Sequence, residues 1–172
     1  QDPLRNPRAL GSAWFVQEAR EVPDANTELA ALGTIDPART VLVDKRFADR
    51  IDLKAARPDS TATARLTSWR LNDMRYAVNS AAGGVVVFSE IWYGPDWQVE
   101  IDGKPAEHVR ADYVLRAMSV PAGAHEVRFF VNNVLMASGN TTGSPSSGGA
   151  QNFAIGSLAI ATLFISTRIK DE

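Results

Sequence analysis

The residues able to do chemistry in this chain crowd into one stretch, "SEIWYGPDWQVEIDGK", from Ser89 to Lys104. Trp92, Tyr93 and Trp97 stand there among Glu90, Asp96, Glu100 and Asp102. Indole and phenol faces stack on the C–H faces of sugar rings. Two carboxyls ~5 to 9 Å apart across a glycosidic bond can cleave it. Glu100 and Asp102 fall on one face of a strand, ~6.5–7 Å apart at Cα by strand rise. However, Asp102 precedes Gly103, and Asp-Gly between alternating strands is a hairpin signal that accounts for Asp102 without catalysis. Trp97 is in phase with Val99 and Ile101 and is expected in the core, whereas Trp92 shares the phase of Glu90. Tyr93 sits at the Gly94-Pro95 turn. The candidate glycan-binding residues are therefore Glu90, Trp92 and Tyr93, joined from a later strand by Tyr113 and Arg116. Arg110 and Arg116 flank Tyr113 and suit an anion, although on a wet strand face such residues are commonly solvated.

Other chemistries find little support. The two histidines, His108 and His125, have no His or Cys at ligand spacing, so both read as surface residues near turns and no metal is expected. The chain has no cysteine and no G-x-S-x-G, and "AAGG" and "SSGGAQN" lack the lysine and spacing of a phosphate loop. No cofactor is implied. A net charge of −2 provides no basic field for nucleic acid. The Asn140-Thr-Thr sequon reads as a chance match in a polar loop.

The elements that must position these residues fall into four segments. Residues 1–60 read as a small α/β segment. A strand begins at Trp14, Phe15 and Val16, and a helix follows in "PDANTELAALGTI", capped by Asp24 or Asn26 and stopped by Gly33. A buried strand, Thr40 to Val43, comes next, then a polar connection, "RFADRIDLKAARPDSTA". Residues 61–133 are a run of short strands separated by turn signals: "LND", "AAGG", "YGPD", "DGKP" and "PAGA". Period-2 alternation along Trp97–Asp102 and Glu126–Val131 gives each strand one buried face. "GGVVVFSEI" instead carries a continuous apolar run, as in a central strand covered on both faces. The fold class expected is mainly β: an antiparallel sandwich of jelly-roll or immunoglobulin-like type behind the α/β segment. Residues 134–152 read as a flexible linker. Residues 153–172 are a short apolar tail whose uncharged run, Phe153 to Thr167, is short of the ~20 residues that span a bilayer. Arg168 and Lys170 after it suit a cytoplasmic anchor. The polar start "QDPLRNPRAL" has no signal-peptide core, so the chain reads as the interior of a longer protein.

Several motifs in order resemble the C-terminal extracytoplasmic region of YfhO-type bacterial membrane proteins. These are "NPRALGSAWF" from Asn6 to Phe15, "SEIWYGPDW" from Ser89 to Trp97, "DGK" from Asp102, "ADYVLRA" from Ala111 to Ala117 and "VPAGAH" from Val120 to His125. One departure is the turn: the family tends to Pro-Gly-Trp, where this chain has Gly94-Pro95-Asp96-Trp97, so nothing about that turn carries over. The family resembles multi-span glycosyltransferases that use lipid-linked sugars, with their catalytic machinery in membrane-embedded and membrane-proximal parts. The resemblance thus implies a non-catalytic accessory domain on the extracytoplasmic face of a bacterial cell membrane. Its partners would be the membrane-embedded part of the same protein and a cell-envelope glycan. It also makes a final membrane helix an equal reading of the tail. The alternatives are a purely structural, protein-interaction sandwich and, third, a glycoside hydrolase.

Overall fold

The computed structural model of the protein describes residues 6–94 and 96–131; the expected linker, tail and sequon lie outside these residues. The fold is mainly β. One antiparallel sheet has β1 (Ala13–Val16), β6 (Gly84–Ile91), β10 (Leu115–Val120) and β9 (Val109–Ala111) in the order β1-β6-β10-β9. A second has β4 (Thr63–Arg70), β5 (Asp73–Ser80), β11 (Gly123–Val131), β7 (Trp97–Ile101) and β8 (Lys104–Ala106) in the order β4-β5-β11-β7-β8. Ahead of them, β2 (Glu18–Val22), helix α1 (Ala25–Ala31) and β3 (Thr40–Asp44) form the expected β-α-β unit, with β2 and β3 parallel.

The two antiparallel sheets face each other across a core of alternating side chains. Tyr76 and Phe129 from one sheet meet Phe88 from the other in edge-to-face contacts, with ring centroids 4.8 and 4.9 Å apart, and stand 6.1 Å from each other. Such pairs add about 0.5–1.5 kcal/mol each to the burial term. Strand β6 is the apolar run singled out above, and both of its faces are covered. Val86 and Phe88 point into the sandwich core, while Val85 and Val87 point outward into a second core. Val41 and Val43 of β3 and Ile51 close that second core. The α/β segment is therefore a third layer laid on the outer face of the first sheet. It is also continuous with the sandwich: β1 pairs antiparallel with β6, Ala13 against Phe88 through Val16 against Val85, so a ladder crosses the boundary drawn at residue 60.

Local details follow from side-chain chemistry. Asp24 is the helix cap, its carboxylate accepting from the Thr27 amide at 2.8 Å. Gly33 is not the helix stop, because the chain tightens into a 3-10 turn over Leu32–Thr34. What reads as one strand from Ala13 divides at Gln17 into β1 and β2, which belong to different sheets. The polar connection after β3 holds two 3-10 turns, Lys45–Arg50 and Leu53–Ala55. Its few apolar residues, Phe47, Ile51 and Leu53, all pack on the second core, and this contribution is hidden by the charges between them. The Asp102-Gly103 hairpin forms as expected. Both residues have positive φ, +51° and +75°, and Ile101 pairs with Lys104.

Two-sided burial of β6 has a measurable signature. Phe88→Ala should cost about 3–5 kcal/mol by emptying the sandwich core. Val87→Thr, nearly isosteric, should cost about 1–3 kcal/mol by burying a hydroxyl in the second core. Urea denaturation measures both. A neutral Val87→Thr would mean that the outer face of β6 is wet.

Candidate functional site

Strand β6 ends at Ile91, and the chain turns through Trp92–Asp96 into β7. This turn and the β7–β8 edge frame a cleft of about 300 Å³, with Trp92, Trp97, Gln98, Glu100, Glu107 and His108 in its lining. A neighbouring cleft of about 570 Å³ shares Arg50, Ala106 and Glu107 with it and adds Asp49, Asp52 and Ser119.

Trp92 is fixed from several sides. Its amide donates to the Val114 carbonyl at 2.8 Å, and its ring packs on Phe47 with centroids 5.2 Å apart. A Cβ on Gly94 would fall 2.5 Å from the indole, so the turn needs glycine at this close approach. The Trp92 Nε1 is buried without a hydrogen-bond partner among the described residues. Trp97 is half-buried against the sandwich core, in the phase read from Val99 and Ile101. The Arg116 guanidinium lies 4.4 Å from its ring centroid.

His108 corrects an expectation. It is buried, at 8% exposure, because the connection after β8 tucks its ring edge-on to Phe129, centroids 5.3 Å apart. Burial, then the nearby Arg116 and Arg50 charges, lowers its pKa to about 4, so the ring is neutral at physiological pH. Nε2 stands 3.3 Å from the Trp97 carbonyl, which can only accept. The proton therefore belongs on Nε2, and Nδ1 is left as an acceptor. Nδ1 is buried without a partner among the described residues.

Arg116 also departs from the expected wet position, with 2% of its surface exposed. Its Nε donates to the Ile91 carbonyl at 2.9 Å, and its plane also lies over Phe129. Burial lowers its pKa to about 10, still cationic at neutral pH. Glu90 is half-buried, its pKa raised by desolvation against the opposing pull of Arg116. Neither Glu90 nor Arg116 is in the lining of the cleft. Tyr93 is 55% exposed, and Asp96 is exposed in the turn. Of the carboxylates considered for glycoside cleavage, Glu100 alone lines the cleft, where Glu107 joins it.

Tyr113 belongs to a different cluster, at the β9–β10 turn. Asp112 and Tyr113 both have positive φ, +45° and +70°, unusual for a bulky residue. The α/β layer holds the turn in that shape. The Asp112 amide donates to the Leu42 carbonyl at 2.9 Å, and the Leu42 amide donates to Asp112 Oδ1 at 2.8 Å. The Tyr113 amide donates to Glu28 Oε1 at 2.9 Å, and Arg110 reaches Glu28 Oε2 at 2.6 Å and Asp44 Oδ2 at 3.3 Å. Glu28 and Asp44 are fully buried, and two guanidinium groups balance them: Arg110 on both, and Arg46 on Asp44 at 2.7 Å. Arg110 also lies over the rings of Tyr113 and Phe47. The sequence reading missed Glu28, Asp44 and Asp112. The one available signal was a charged residue, Glu28, inside the apolar stretch of a short helix.

Asp112 yields a pH prediction. Burial, opposed by the Leu42 amide, raises its carboxyl from the ordinary 3.8 to about 7. The folded state therefore holds this proton more tightly than the unfolded chain. Its stabilising contribution is fully present below pH ~4 and is lost as pH rises to about 7. The difference is on the order of 4 kcal/mol. Asp112→Asn keeps the acceptor and tolerates positive φ, so it should flatten this part of the stability profile and be the more stable protein at pH 8. Equal slopes for the two proteins in chemical denaturation between pH 4 and 7 would contradict this.

Among the described residues no group of three or more His, Cys, Asp and Glu is placed to hold a metal ion. Likewise, no helix among them is long and apolar enough to cross a membrane. No protein-family model, curated protein or solved structure matches this chain.

Proposed function

We propose that this chain is a non-catalytic, extracytoplasmic accessory domain that binds a cell-envelope glycan in the cleft between Trp92 and Trp97. It would belong to a membrane glycosyltransferase-like protein of the YfhO type. The family and its membrane setting rest on the motif resemblance alone. The glycan reading rests on one observation of the cleft: two indoles, Trp92 and Trp97, line it together with the carboxylates of Glu100 and Glu107. An apolar floor with a few convergent polar atoms is the usual form of a small-ligand site. A sugar ring can stack on an indole face there while its hydroxyls donate to the Glu100 and Glu107 carboxylates of the lining.

Charge narrows the ligand. Glu100, Glu107, Asp49 and Asp52 line the two joined clefts, against Arg50 and a neutral histidine. Neutral or amino-substituted sugars suit this balance, and uronates or phosphorylated sugars do not. Tyr93, exposed next to Trp92, is outside the lining of the cleft. The structural-module alternative expects Trp92 and Tyr93 to be buried or to lie on an apolar patch without convergent polar groups; the polar lining that surrounds Trp92 weighs against it.

Calorimetric titration with neutral, amino-bearing and anionic envelope oligosaccharides tests the reading. Trp92→Ala and Glu107→Gln should each weaken binding at least ~10-fold, the scale of one lost stacking or charge-assisted contact. Glu90→Gln, outside the cleft, should change affinity little. No binding by any oligosaccharide, or variants that bind like the parent, would remove the glycan reading.

A further inference from the structure

Four large hydrophobic side chains among the described residues are exposed: Leu29, Trp69, Leu71 and Tyr93. Three of them gather at one end of the sandwich. Trp69 and Leu71 belong to the β4–β5 hairpin, 56% and 59% exposed. The next residue, Asn72, accepts from the Val131 amide at 3.1 Å. Val131 is in register with Trp97, whose amide donates to the Tyr93 carbonyl at 3.4 Å. Strand spacing of ~4.8 Å thus sets the two ends of this row roughly 10–15 Å apart. Nothing in the sandwich core requires these side chains.

We infer that this end of the sandwich rests on the surface of a lipid bilayer. The choice of partner comes from where the chain goes next. Strand β11 ends at this same face, at Val131, and the sequence beyond contains the uncharged run Phe153 to Thr167. The intervening residues, 132–152, are rich in Gly, Ser, Thr and Asn, and backbone geometry limits their span to ~75 Å in any conformation. Insertion of the apolar run would therefore hold this end within that span of the membrane. Trp and Tyr are the side chains enriched at the level of lipid headgroups, where an apolar ring and a polar tip are both satisfied. Leu71 adds an apolar tip. Arg70, exposed between Trp69 and Leu71, supplies a cation for phosphate. The opposite end of the sandwich, at Ala122 and Gly123, shows no large exposed apolar residue among the described ones. The inference deepens the membrane-attached reading above and is independent of whether the cleft binds sugar.

The natural absence of cysteine permits a direct test on the full 172-residue chain. Leu71→Cys and, at the far end, Ala122→Cys each receive a nitroxide, and the protein is reconstituted into vesicles of phosphatidylethanolamine and phosphatidylglycerol. Power saturation then compares collision with dissolved oxygen and with an aqueous nickel chelate. The inference expects the label at 71 to gain oxygen and lose nickel collisions on adding lipid, with the label at 122 unchanged. If the chain joins the vesicles while the label at 71 stays as wet as that at 122, the docking surface is refuted and membrane attachment survives. If the chain stays in the aqueous phase, both fall. A label at 71 shielded equally with and without lipid means that protein, the apolar tail or a second copy, covers the patch, and this also overturns the inference.

Discussion

Strand β6 has no face for water, and the architecture follows from that constraint. A strand reading Val-Val-Val-Phe must be covered above and below. The five-stranded sheet covers one side through Tyr76, Val127 and Phe129. The other side needs a separate layer, which the chain supplies before the sandwich is made: β2, α1 and β3, with the 3-10 turns behind them. An immunoglobulin-like sandwich alone would leave Val85 and Val87 wet. The α/β segment is thus part of one folding unit with the sandwich, an arrangement reinforced by the β1–β6 ladder.

Closing that third layer takes charged groups out of water, and they are arranged as partners. Arg110 on β9 lies between Glu28 of the helix and Asp44 of β3. Asp112 exchanges two hydrogen bonds with Leu42 and thereby ties the middle of β3 to the β9–β10 turn. These contacts set the turn, and Val114 in the same turn anchors the Trp92 amide. Phe47, from the connection after β3, packs on the Trp92 ring. The cleft is therefore built by both layers: one wall comes from the sandwich edge, and the position of its indole depends on the α/β segment.

Much of this was legible in the residues. The β-α-β unit, the Asp24 cap, the Asp102-Gly103 turn and the doubly covered strand each have a local signature, since hydrophobic period and turn chemistry act over a few residues. The errors share a cause. Arg110 and Arg116 are polar residues in short strands, and alternation assigns them to water; His108 stands in the connection between β8 and β9, where a polar residue reads as surface. Only the long-range packing of the third layer and of the Trp97 ring buries them, at partners far away in sequence. Glu28 and Arg110 meet across 82 positions, beyond the reach of any periodicity. Likewise, Trp92 and Tyr93 were legible as candidates, but the cleft was not, because Glu107 and His108 reach it from a loop.

The stretch Ser89–Lys104 thus combines two tasks. Val99, Ile101 and the Asp102-Gly103 turn serve the fold, and Trp92, Trp97, Gln98 and Glu100 shape the cleft. The most direct test of the central claim uses the four tryptophans as internal reporters. In a ¹H–¹⁵N spectrum of the chain, the indole N–H signals of Trp14, Trp69, Trp92 and Trp97 are followed as an amino-bearing envelope oligosaccharide is added. The account predicts saturable shifts at Trp92 and Trp97. Trp14, whose Nε1 already donates to the Pro37 carbonyl at 2.8 Å, and Trp69, on the β4–β5 hairpin outside the lining of the cleft, stay still. Saturation that moves Trp69 or Trp14 while leaving Trp92 and Trp97 unchanged would contradict it.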